Sequence, residues 1–144
     1  MMHVMHDDEL VVHLLHAAAV LTKRLDRSLA SIKGISFSEY QLLSALGRQP
    51  AATAPRSVLA EHVGVTPSGV TRALKPLEKL GFVETDKDGR DARRSLARLT
   101  PAGVELVSDA AGVVADVVDG VDAIASLSVA DRAQLVEWLD ELAR

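Results

Sequence analysis

The feature that most constrains this chain is its punctuation, because helix starts and stops recur along it at short intervals. Thr66-Pro67 and Thr100-Pro101 each set a capping hydroxyl before a proline, whose missing N–H costs nothing in a first helical turn. Ser36-Phe37-Ser38-Glu39 has the form of a capping box, with Ser36 as N-cap and Glu39 at the third helical position. Gly34, Gly47, Gly64 and Gly81 stand where helices stop. Between these marks apolar residues step by 3 and 4. Val11, Leu14, Ala18, Leu21, Leu25 and Ile32 predict a long amphipathic helix from about Asp8 to Ile32. Tyr40, Leu42, Leu43 and Leu46 predict a short one ending near Gly47. Residues 48–56 hold two prolines and no period and read as a loop. Ser57 is the expected cap of a helix from Val58 to Val63, and Thr66 opens another through Val70, Ala73, Leu74, Leu77 and Leu80. The period then changes. Phe82–Thr85 and Ser95–Leu99 read as two strands around a polar loop, 86–94, that holds the turn dipeptide Asp88-Gly89. Beyond Thr100, residues Val107, Ala110, Val114, Val117, Val121 and Ile124 form one heptad seam. Ser128 caps a last helix through Leu135, Val136, Leu139 and Leu142.

The 144 residues suit one domain, and with 48% apolar but 3% aromatic residues its core must be built from Ala, Val and Leu. The absence of cysteine excludes disulfides, thiolate metal sites and thiol redox sensing. No apolar run is long enough to span a membrane, and the N-terminus is acidic where a signal peptide is basic, so a cytoplasmic location is expected. The net charge of −4 is unevenly spread. Residues 56–100 carry nine basic and six acidic groups, whereas residues 101–144 carry two and nine. One surface is therefore suited to an anion while another faces away from it.

The basic third contains a pair of short helices joined at Gly64-Val65-Thr66. Two helices crossing at a tight turn need a small residue in the first, a residue able to take positive φ in the turn, and an apolar residue in the second; Ala60, Gly64 and Val70 meet those needs. An ordinary helical hairpin would share much of this spacing. The second helix, however, presents Thr66, Ser68, Thr71, Arg72 and Lys75 away from its apolar side, as a helix entering a DNA major groove does. The hairpin that follows carries Lys87, Arg90, Arg93 and Arg94, and a basic hairpin beside a helix-turn-helix is a wing able to reach phosphate or minor groove. Asp91 is expected to brace Arg93 rather than touch DNA.

Over essentially its full length the chain resembles the MarR family of winged helix-turn-helix transcriptional regulators. The residues that carry the resemblance are Leu59-Ala60-Glu61, Thr66-Pro67-Ser68 with Val70-Thr71-Arg72, and Leu77-Glu78-Lys79-Leu80-Gly81-Phe82-Val83-Glu84. Most specific are Asp91-Ala92-Arg93, similar to the family's Asp-x-Arg wing motif, and Leu99-Thr100-Pro101-Ala102-Gly103, similar to its Leu-Thr-x-x-Gly entry into the dimerisation helix. The resemblance implies a mainly α fold with a small β-hairpin wing, in one domain spanning 1–144. Within it, dimerisation helices at 8–33 and 101–144 flank a winged helix-turn-helix at 36–100. It further implies a homodimer on a palindromic operator in double-stranded DNA. The regulator would be a repressor released by a small phenolic or anionic effector bound between the two regions. Two departures stand out. Pro76 lies inside the recognition helix, where it removes a backbone bond to Arg72 and predicts a kink. Thr85 stands where relatives often have a basic residue.

His13, Arg24 and Tyr40 are the candidate effector-pocket residues, chosen by approximate position. His3, His6, His13 and His16 admit an alternative, a metal-responsive regulator, although no metal ligand set or cofactor is assigned. A further alternative is a winged-helix dimer acting through a protein partner. No phosphate loop, His-Glu-x-x-His or nucleophile-with-base motif is present, so no enzyme is expected.

Overall fold

The capping residues govern where the helices begin. The Ser36 hydroxyl accepts from the Glu39 N–H at 3.0 Å and the Glu39 carboxylate accepts from the Ser36 N–H at 3.1 Å, closing the expected capping box. Thr66 and Thr100 accept from the N–H groups of Gly69 and Gly103, each at 3.1 Å, and Ser128 accepts from that of Asp131 at 3.0 Å. The computed structural model describes residues 6–88 and 91–144, and the side chains among them outside 87–94. Its elements in order are α1 (Asp7–Lys33), α2 (Phe37–Gly47), β1 (Thr53–Pro55), α3 (Arg56–Val63), α4 (Pro67–Lys79), β2 (Val83–Asp88), β3 (Asp91–Leu99), α5 (Pro101–Asp119), α6 (Asp122–Ala125) and α7 (Val129–Leu142). The fold is mainly α with a small antiparallel sheet, as the sequence predicts. Among the described residues no helix is long and apolar enough to cross a membrane.

The core lies where α2, α3, α4 and the sheet meet the middle of α5. Leu43, Leu46, Leu59, Val70, Leu74 and Leu77 are fully buried, joined by Leu29 from α1, Val83 and Ala97 from the sheet and Ala110 from α5. The sheet runs β1-β3-β2, with Ala54 opposite Ala97 and Val83 opposite Leu99, so all four of these side chains point inward. The α5 helix is seated by its first turn. A Cβ on Gly103 would lie 2.2 Å from the Phe82 carbonyl oxygen, so only glycine allows this approach. Thr100 completes the joint, donating its N–H to Phe82 at 3.0 Å and its hydroxyl to the Gly81 carbonyl at 2.6 Å.

Four expectations need correction. Residues 48–56 are not a plain loop: a single 3-10 turn at Pro50–Ala52 leads into β1, which pairs with residues 96–98. Three residues are too few to show a period, and the partner strand lies about forty residues ahead. Helix α3 begins at Arg56 behind Pro55, with no side-chain cap, rather than after Ser57. The hairpin strands run further than predicted, β2 to Asp88 and β3 from Asp91, because ladder pairing extends the apolar base into polar sequence. The heptad seam is also interrupted: α5 ends at Asp119, Gly120 caps it, and Val121 is extended, so Val121 and Ile124 leave the helix. The buried stripe of α5 is Gly103, Leu106, Ala110 and Val113, which shares Ala110 with the predicted seam, while Val107 and Val114 of that seam are only partly buried against the core. Helix α4, by contrast, continues through Pro76 to Lys79.

Candidate nucleic-acid interface

The turn between α3 and α4 is set by Gly64, whose φ of 69° is the left-handed conformation that glycine takes without steric cost. The chain closes there with Val65 N–H on the Ala60 carbonyl at 3.1 Å. Ala60 on α3 and Val70 on α4 are both buried in the same core cluster. Gly64 thus takes the positive φ expected of it, and Ala60 and Val70 are buried on either side of the turn.

Helix α4 divides into two faces. Val70, Leu74 and Leu77 are wholly buried, which fixes the helix rotationally. Thr66, Ser68, Thr71, Arg72 and Lys75 all lie on the exposed side. The Thr66 oxygen is occupied as a cap and sits 3.2 Å from the Ser68 hydroxyl, and Thr71 donates to the Pro67 carbonyl at 3.2 Å. Neither Arg72 nor Lys75 forms an ion pair among the described residues. The face thus offers small hydroxyls near the helix N-terminus and two cations one and two turns on, beside backbone amides that favour an anion.

Of the wing candidates, Arg90 lies outside the described residues. Asp91, Arg93 and Arg94 sit on the backbone of β3, and their side chains, including the expected Asp91–Arg93 brace, lie outside what is described. At the wing's base Arg98, directly opposite Glu84 in the ladder, bonds Glu84 at 2.6 Å and Asp86 at 2.8 Å. The hydrogen bond to Glu84, then the Asp86 charge, push the Arg98 guanidinium above its ordinary value. It stays charged and offsets carboxylates that would otherwise repel a phosphate.

Sequence reasoning missed Arg56. From the first turn of α3 its Nη1 donates to Ser95 Oγ on β3 at 2.8 Å, and its Nη2 donates to Thr85 Oγ1 on β2 at 3.1 Å. The same Nη2 lies 3.5 Å from Glu78 Oε1 on α4, and the Thr85 hydroxyl donates to that oxygen. The departure noted at Thr85 is thus absorbed into an internal network. Arg56 also walls a hollow of about 310 Å³ with Ser57, Pro67, Ser68, Thr71 and Ser95, between the starts of α3 and α4.

The three effector candidates do not share one cavity within the chain. Tyr40 lines a space of about 410 Å³ between α2, α3 and α5, with Phe37, Arg48 and His62. Arg24 lines a different hollow of about 490 Å³, between α1 and α5. His13 lines neither, since eleven residues of helix set it about 16 Å from Arg24. Gln49 and His62 are 3.2 Å apart on the wall of the Tyr40 cavity. Among the described residues no cluster of three or more His, Asp or Glu could hold a metal, and His3 lies outside them.

Residues 33–94, from the end of α1 into β3, match a family model described as MarR family. The whole chain is similar to a MarR family transcriptional regulator from Streptomyces coelicolor whose structure is in complex with DNA. The identity is 27% and the TM-score 0.86, over 99% of this chain and 90% of that one. The segment from α2 to β2 thus matches the MarR family model, and the chain as a whole has the MarR fold. The members of that family are transcriptional regulators, as the DNA-bound relative is. Two more distant structures share the MarR fold. CouR from Rhodococcus jostii, bound to p-coumaroyl-CoA, is 20% identical with a TM-score of 0.85, over 98% of this chain and 96% of CouR. BpsR from Bordetella bronchiseptica, whose DNA binding is regulated by 6-hydroxynicotinic acid, is 20% identical with a TM-score of 0.79, over 94% of this chain and all of BpsR (100%). A search of curated protein sequences finds no significant match to this chain.

Proposed function

We propose that this chain is a MarR-family regulator, a cytoplasmic homodimer that binds a palindromic operator in double-stranded DNA and represses transcription until a small effector releases it. The observation that carries the reading is the two-faced α4: three wholly buried residues fix one side, while Ser68, Thr71, Arg72 and Lys75 stand exposed on the other. In this reading Thr66, Ser68, Thr71, Arg72 and Lys75 enter the major groove, and Arg90, Arg93 and Arg94 reach the adjoining backbone or minor groove. Asp91 braces the wing.

The ends of the chain support a second copy. Leu10, Val11, Val12 and Leu15 on α1, and Val136, Trp138 and Leu142 on α7, are exposed, and no residue of α7 is buried. Such surface is more than a monomer ordinarily leaves in water. We assign 8–33 and 101–144 to dimerisation and 36–100 to the DNA-binding unit. Two recognition helices about 34 Å apart would then read two half-sites. The effector site fits the Tyr40 cavity, where the Phe37 and Tyr40 rings stack with centroids 6.0 Å apart and Arg48 supplies a cation. Those groups suit a phenolic or anionic aromatic ligand; Arg24 would serve from the neighbouring hollow and His13 from beyond it.

Fluorescence anisotropy tests the reading. A duplex from the gene's own upstream region is titrated at two salt concentrations, with scrambled duplex as competitor. Affinity should fall with a log–log slope of about −0.9 per phosphate neutralised and survive the competitor. Salt-insensitive behaviour with no duplex preference would point instead to a protein partner.

A further inference from the structure

We propose that Arg56 is a positioning residue for DNA recognition: its guanidinium ties the wing to the recognition helix and so sets how well the chain tells its operator from other duplexes. The inference rests on the DNA-binding reading above.

Four elements meet at this side chain. It leaves the first turn of α3, and its two terminal nitrogens divide between β3, through Ser95, and β2 and α4, through Thr85 and Glu78. It is 13% exposed, whereas Glu78 is 30% exposed, so the cation is the more deeply seated partner. The other ion pairs among the described residues stay within the hairpin or join α1 to α5. The apolar anchors of the hairpin, Val83, Ala97 and Leu99, lie at its base. Thr85 pairs directly opposite Ala97, at the outer edge of these anchors, Ser95 lies two residues further out on β3, and β2 continues about 10 Å past Thr85 to Asp88. A brace at this height governs where the far end of the wing points relative to α4.

The chemistry suits arginine alone. A planar fork presents two terminal nitrogens in fixed directions, while a lysine ammonium is one point that cannot serve Ser95 and Thr85 together. Arg56 Nε is buried and has no partner among the described residues. An unmatched buried donor is unfavourable, so the side chain is held in place for its outer nitrogens. A recognition helix and a wing that address one duplex must keep their relative angle. Loss of the brace should therefore affect the complex that uses both at once, and leave weak, register-free phosphate binding alone.

The test compares the wild-type full chain with Arg56→Lys and Thr85→Val. One readout is amide hydrogen exchange without DNA. The other is anisotropy on a duplex that the wild type selects from a random pool, against a scrambled duplex. In Arg56→Lys the amides of Thr85, Asp86, Leu96 and Ala97 should exchange about tenfold faster while those of α5 are unchanged. The ratio of selected to scrambled affinity should fall about tenfold, with scrambled affinity and its salt slope unaltered. Thr85→Val should move both readouts the same way by less. Unchanged exchange and ratio overturn the proposal. So does equal weakening on both duplexes with a salt slope smaller by about 0.9, which would make Arg56 a direct phosphate ligand in the hydroxyl-lined hollow. A wild type that selects no duplex strikes the DNA-binding reading instead, and the exchange result then sustains or overturns the brace by itself.

Discussion

Leu43, Leu46, Leu59, Leu74 and Leu77, in the centre of the chain, are fully buried, while Leu135, Leu139 and Leu142 in α7 are all exposed and Trp138 beside them is 58% exposed. The residue types are the same, so hydrophobicity does not separate the two regions. Partners do. In the centre, helices of 8 to 13 residues fold back on a three-stranded sheet and close the surface within one chain. At the ends, α7 and the first half of α1 present apolar stripes that no element among the described residues covers. The centre should therefore have a stability independent of concentration, and the ends one that depends on a second copy. Charge follows the same division. The basic third of the sequence holds α3, α4 and the wing, and the acidic third holds α5 to α7.

The largest effect is expected where the two regions join. In Gly103→Ala the new Cβ would meet the Phe82 carbonyl at 2.2 Å and Leu99 Cδ1 at 2.6 Å. Backbone cannot yield as a flexible side chain can, so α5 must shift away from the wing base. Loss of about 3 kcal/mol is expected, a fall of roughly 10 °C in Tm. A thermal melt checks this, and an unchanged Tm would mean that the joint is looser than its geometry.

Next comes the division itself. Trp138→Glu with Leu135→Glu places charge on the exposed face of α7 and leaves the buried centre untouched. Sedimentation velocity should show one copy in place of two, with the far-UV spectrum of the centre kept. Operator affinity should fall at least about 100-fold as two linked half-sites become two separate events. A variant that stays dimeric would place the interface elsewhere. A smaller effect, about 2 kcal/mol on the selected duplex, is expected for Arg72→Ala, with relaxed base choice. Equal weakening on every sequence would make Arg72 a phosphate contact.

What could be read from the sequence follows the range of the forces involved. The caps at Ser36, Thr66, Thr100 and Ser128 are bonds between residues three apart, so a short stretch of sequence holds the whole interaction. The two faces of α4 follow from helical period alone. Arg56 bonds residues 22, 29 and 39 positions away, and no local pattern announces those partners. Strand β1 is likewise defined by β3, and the turn before it holds Ala51 and Ala52 at φ of 53° and 49°, values that alanine does not advertise. The seam through Val121 and Ile124 failed for another reason. Apolar spacing continued across Gly120 while the backbone did not, and a seven-residue repeat is blind to that. The effector candidates depended on how helices pack side by side, which fixes the cavity that Tyr40 lines and Arg24 does not.

The smallest expected effect separates two roles at one residue. Thr66 is the N-cap of α4, accepting from the Gly69 N–H, and it is also a groove candidate. Thr66→Ala should cost about 1 kcal/mol of stability through the lost cap. Thr66→Ser keeps the capping oxygen and removes only a methyl group, so stability should stay within a few tenths of a kcal/mol of wild type. If the methyl meets a thymine methyl in the groove, the serine variant loses preference for that base while melting like the wild type. If Thr66 acts as a cap alone, the serine variant binds as the wild type does, and the alanine variant weakens all duplexes alike by fraying the first turn of α4. Melting curves and duplex competition on the two variants therefore show whether the first residue of the recognition helix belongs to the fold alone or also to the face that meets DNA.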